Sequence, residues 1–136
     1  MLFPIAVMML AQAAVQPPMM ESDKPVAYGP LEIACTGVGS AEDDPQWKAY
    51  PIRIEFANGA AQYLSGAHVT ITAGGKTIAD GVCWGPWLVV KGTPGTYHVS
   101  ATISGSSTQP GSNFTVKEGA AQTRIILRFP DFAASQ

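Results

Sequence analysis

Residues 52–56, Ile-Arg-Ile-Glu-Phe, alternate apolar and charged side chains, and the same period of two returns in Val69-Thr70-Ile71-Thr72 and from Tyr97 to Ile103. Successive side chains of a strand point to opposite faces. Each run therefore predicts a half-buried strand whose apolar set (Ile52, Ile54 and Phe56, or Tyr97, Val99, Ala101 and Ile103) turns to one core. Further runs, "KTIAD", "WLVVK", "NFTVK" and "TRIILRF", are separated by turn pairs: Asn58-Gly59, Gly74-Gly75, Gly85-Pro86, Pro94-Gly95 and Glu118-Gly119. Short strands at such spacing predict an all-β domain, an antiparallel β-sandwich of about seven strands or a small barrel. On this alternation Arg53, Glu55, His68 and His98 point outward.

Pro94-Gly95 suits the centre of a type II turn, since proline fixes the first φ and glycine accepts the positive second one. A valine at Gly95 is then expected to destabilise the domain. Only "GSAEDDPQW" reads as helical, one short turn with Ser40 as its cap. The stretch "QPPMMESDKPVAYGP" holds four prolines and no period. It predicts an extended linker over residues 14–30, with the folded domain spanning 31–130 and a C-terminal tail over 131–136.

A chain of 136 residues is one domain in size. Charged residues make up 13% of it and the net charge is -2. No basic field is present to draw phosphate backbones, so nucleic-acid binding is disfavoured. The start, "MLFPIAVMMLAQAAVQPP", is apolar up to Ala11-Gln12-Ala13, an A-x-A site for signal peptidase. It predicts a signal peptide over residues 1–13, although no Lys or Arg precedes the apolar run; a short buried strand is the alternative. The run is too short to span a bilayer, so no transmembrane segment is expected after cleavage. Export to the periplasm or beyond makes pairing of the two cysteines, Cys35 and Cys83, the expectation, against two separate buried thiols.

The segment "WLVVKGTPGTYHVSATI", an aromatic-led strand followed by a Pro-Gly turn and Tyr-x-Val-x-Ala, resembles the carboxypeptidase regulatory-like or transthyretin-like family of sandwich domains. "AHVTITAGGKTIADG" before it resembles that family's Val-x-Ile strand and hairpin. The order "TGVGSAEDD", "IRIEF", "AAQYLSG" and then the sandwich core is similar to small exported bacterial proteins of this class. The resemblance covers roughly Gly37 to Phe129 and implies a transthyretin-like or immunoglobulin-like Greek key serving as an accessory module with no common site. Cys35, Cys83, the two-Trp "CWGPW" and the interruption "TQPGSN" depart from the pattern. A urate-pathway hydrolase shares the transthyretin fold, but it relies on a C-terminal Tyr-Arg-Gly-Ser where this sequence has "RIILRFPDFAASQ", so that chemistry does not carry over.

Candidate chemistry is sparse. His68 and His98 are the only histidines and sit beside Thr and Ser on outward positions, and no nucleophile-elbow, zincin or phosphate-loop motif occurs. Two distant histidines and two cysteines that prefer each other make no tetrahedral zinc set. Glu42-Asp43-Asp44 offers oxygens to calcium, yet lacks the alternating spacing of a dedicated loop. Trp84, Trp87 and Tyr63 are the candidate binding residues. Aromatic rings beside a turn stack on sugars or anchor a protein, whereas the bland alternatives place Trp87 in the core and Trp84 over a disulfide. The expectation is a non-enzymatic exported module without cofactor or metal. Its partner would be another exported or envelope protein, or, alternatively, a glycan stacked on exposed aromatic residues.

Overall fold

The computed structural model describes residues 17–134. Ten strands form the domain: β1 (Met19–Met20), β2 (Val26–Tyr28), β3 (Leu31–Thr36), β4 (Ile52–Asn58), β5 (Ala67–Ala73), β6 (Lys76–Cys83), β7 (Trp87–Gly92), β8 (Gly95–Thr102), β9 (Gly111–Val116) and β10 (Thr123–Phe129). They pack as two five-stranded sheets, ordered β1-β6-β5-β8-β9 and β10-β4-β7-β3-β2. The sandwich expected from the alternation is present, with more strands than seven. Pairing is antiparallel except where β1 joins β6 and β10 joins β4.

The inward sets are those the alternation marks. Ile52, Ile54 and Phe56 from one sheet meet Val69, Ile71, Tyr97, Val99 and Ala101 from the other, all buried. His98 and Thr102 lie exposed on the far face of β8. Tyr97 stacks on Phe114 with ring centroids 5.5 Å apart and donates its hydroxyl to the Thr93 carbonyl at 2.7 Å, so its one polar atom is satisfied at the core's rim.

Cys35 and Cys83 form a disulfide between β3 and β6, with Cα atoms 5.6 Å apart, and staple one sheet to the other. Beside it runs the stretch expected to be a linker. Instead, β1 extends β6, Ser22 bridges Cys35, and β2 extends β3, so the segment laces both sheets together along this side. Prolines lack a donor but keep their carbonyls: Pro18 accepts from Val82 N–H at 2.9 Å and Pro30 from Thr93 N–H at 3.0 Å. The residues between the prolines make the ladder bonds. Beyond residue 130, Asp131 and Phe132 are also part of the fold: Asp131 accepts from the Ser106, Ser107 and Thr108 hydroxyls, and Phe132 packs against the core. The proposed signal segment lies outside the described residues.

Two further local expectations are corrected. Strand β8 begins at Gly95, whose φ is +157°, far from the value a type II turn needs, so Thr93 and Pro94 make the connection between sheets. The helical segment is two 3-10 turns, Gly39–Asp43 and Pro45–Ala49. Its side-chain cap is Asp44, which accepts from Gln46 N–H at 3.0 Å, and not Ser40.

Candidate functional site

The outer face of the β10-containing sheet carries the 3-10 turns and, beside them, an ion cluster. Trp47 and Tyr50 lie over Ala34 and Val89 as a second small core. The Gln122 side-chain amide pins them by donating to the Trp47 and Tyr50 carbonyls at 2.8 and 2.9 Å. Tyr50 donates to Glu32 at 2.8 Å, and Lys91 pairs with Glu32 at 3.1 Å while sitting 4.6 Å above the Tyr50 ring. The Tyr50 bond, ahead of Lys91, holds the Glu32 carboxyl below its ordinary value.

The ion cluster centres on Glu55, which is 0% exposed although it points away from the main core. Arg124 grips it with two nitrogens, Nη2 at 2.8 Å, and Tyr63 donates its hydroxyl at 2.8 Å. Arg53 approaches at 2.9 Å as an ion pair without hydrogen-bond alignment, and its guanidinium lies 4.3 Å over the Trp87 ring. Burial alone would raise the Glu55 pKa; the Arg124 and Tyr63 bonds and the two arginine charges outweigh it and hold the carboxyl below its ordinary value. A carboxylate so engaged is no free base.

Where the folded pKa is depressed, the group's contribution is complete above the unfolded value, about 4.3 for glutamate, and is lost as pH falls through the folded value. Glu55→Gln is expected to cost about 2 kcal/mol at pH 7. The gap to the wild type should narrow as both are titrated from pH 5 toward 2 in urea melts. A gap that stays constant across this range would deny Glu55 its ionised role.

Of the aromatic candidates, Trp84 is 53% exposed, Tyr63 45% and Trp87 4%. Trp87 opens β7 but is withdrawn beneath Arg53, and Tyr63 meets it edge-on, with an interplanar angle of 82°. No ring contact joins Trp84 to either. The three rings therefore form no common stacking plane. Trp84 rests on Gly66, where φ is +92° and an added Cβ would stand 2.9 Å from the indole. Trp84→Ala should change stability by less than about 1 kcal/mol, whereas Tyr97→Ala, emptying a core position, should cost about 3 to 5 kcal/mol. Equal thermal shifts for the two variants would place Trp84 in the core.

The histidines engage neighbours across their strands. His68 Nε2 contacts Asp80 Oδ1 at 2.6 Å, and Thr70 donates to the same oxygen at 3.1 Å. The carboxylate thus sits between imidazole and hydroxyl, the reverse of a base activating a nucleophile. His98 Nδ1 contacts Asn113 at 2.8 Å. Glu42 and Asp43 are exposed on the first 3-10 turn, and Asp44 acts as a cap.

The two sides of the sandwich differ. The side bearing the disulfide is laced by residues 19–28. On the opposite side β9 and β10 are free edges among the described residues, and an opening of about 440 Å³ leads between the sheets, lined by Ile52, Phe114 and Ile125 with Asn113, Lys117 and Thr123 at its rim. Sequence reading missed both this opening and the Glu55 cluster; the alternation gives a residue's face but not what lies over that face. Among the described residues no helix is long and apolar enough to cross a membrane. The sequence matches no protein-family model and no curated protein.

Proposed function

We propose that this protein is an exported, non-enzymatic accessory module of the carboxypeptidase regulatory-like kind, acting in the periplasm or outside the cell by binding another protein. The observation that carries this reading is the unequal closure of the sandwich. One side is stapled by the disulfide and ends in the two- and three-residue strands β1 and β2, while the other ends in the longer strands β9 and β10, whose outer edges are unpaired among the described residues, over an opening with Ile52, Phe114 and Ile125 in its lining; such an edge is what β-strand addition uses. Export is supported by the apolar start with its Ala11-Gln12-Ala13 site and by the Cys35–Cys83 disulfide, which persists in oxidising compartments. Where groups of catalytic type meet, at His68 and Asp80, the carboxylate is shared with Thr70 and the imidazole activates no hydroxyl.

A photo-crosslinking residue placed at Thr123 or Asn113 in the producing cells should yield a discrete protein adduct, and one placed at Lys76, on the β5–β6 hairpin three strands from β9 in the same sheet, should not. Absence of any adduct at the β9 and β10 edges, or the same adducts from Lys76, would remove the protein-binding reading.

A further inference from the structure

The protein-binding reading leaves the partner's chemistry unspecified, and the ladder of β10 specifies it. Thr123 N–H donates to the Pro51 carbonyl at 2.7 Å, and the parallel register runs from Thr123 opposite Ile52 to Phe129 opposite Asn58. In a parallel pair, both backbone groups of one residue point to the partner strand and those of the next point away. Thr123, Ile125, Leu127 and Phe129 therefore bond to β4. Arg124, Ile126 and Arg128 turn their N–H and C=O groups to the side on which β10 has no neighbour among the described residues.

Side-chain alternation sorts the same residues. Arg124, Ile126 and Arg128 lie on the outer face, while Ile125 faces the opening with Ile52 and Phe114. The three arginines of the chain, Arg53, Arg124 and Arg128, all fall on this outer face of β4 and β10, against the single carboxylate of Glu55. Arg128 is exposed and has no ion-pair partner among the described residues. The edge thus offers backbone groups, a slot on one face with Ile52, Phe114 and Ile125 in its lining and polar side chains at its rim, and surplus positive charge on the other.

We propose, resting on the protein-binding reading, that β10 receives an extended segment of a partner protein in which apolar and acidic residues alternate. Its apolar set enters the opening beside Ile125 and Phe114, and its acidic set lies beside Arg124 and Arg128. The exposed residues of β9, Gly111, Asn113 and Thr115, are all neutral, so the strand itself selects no charge. A second copy of β10 would set arginines against arginines, which disfavours self-pairing.

The test uses the full, disulfide-bonded chain and three labelled, end-capped peptides of equal length, alternating valine with glutamate, lysine or serine, read by fluorescence anisotropy. The glutamate peptide should bind most tightly and weaken with salt. Arg128→Gln should lower its affinity about threefold and Arg128→Glu about tenfold. Ile126→Pro removes an N–H that β4 does not use, so the fold should stand while binding falls at least about tenfold. Equal binding of the glutamate and lysine peptides, indifference to Arg128→Glu, or dimerisation of the chain through β10 in sedimentation would overturn the proposal. An edge adduct in cells combined with equal peptide binding would discard this partner chemistry and leave the protein-binding reading standing.

Discussion

Gly92→Ala is expected to lower stability by about 4 kcal/mol and the melting temperature by about 15 °C, far more than any surface substitution. Gly92 ends β7 with φ at +146°, and an added Cβ would stand 2.2 Å from the Pro30 carbonyl oxygen and 2.9 Å from the Leu31 Cα. Both obstacles are backbone, so no side chain can swing aside. The same carbonyl accepts from Thr93 N–H, and displacing it would loosen the start of β3 as well. Gly95 provides the control. Its φ is also positive, but an added Cβ would meet only the Tyr97 ring, at 3.7 Å or more. Gly95→Ala should therefore cost clearly less than Gly92→Ala, and thermal melts giving the reverse order would contradict the geometry of this crossing between sheets.

Replacing both Cys35 and Cys83 with alanine should cost about 4 kcal/mol, the entropy returned to an unfolded chain when a loop of this length is opened. The two residues are 48 apart in sequence and join opposite sheets. Their loss should also free residues 19–28, whose contacts to Cys83, Cys35 and the rest of β3 run beside the bridge. Non-reducing peptide mapping of the native protein should recover the Cys35–Cys83 pair, and chemical denaturation of the double variant measures the cost. Two free thiols in the native protein, or an unchanged midpoint in the variant, would contradict the staple.

The strand from Tyr97 to Ile103 was legible because a strict period of two leaves one arrangement that buries Tyr97, Val99, Ala101 and Ile103 together. The cysteine pairing was legible from the count of two together with the expectation of export. Glu55 was not. Its outward position in β4 was right, but its burial depends on Tyr63 and Arg124, which stand 8 and 69 residues away, and no local pattern carries that contact. The N-terminal segment was misread for a related reason. Proline density measures missing donors, while Pro18 and Pro30 join the fold through their carbonyls. Trp87 kept both options open in the sequence, and the Arg53 guanidinium above it decides for burial.

The most direct test of the open edge is amide hydrogen exchange on the full chain with and without the peptide alternating valine and glutamate. Without peptide, the Ile125 and Leu127 amides, bonded to β4, should exchange slowly, and those of Arg124, Ile126 and Arg128 should exchange fast. With peptide, added protection should fall on Arg124, Ile126 and Arg128. Protection confined instead to the surroundings of Trp84, or absent from all three β10 amides while the peptide is bound, would contradict the free edge of β10 as a binding edge.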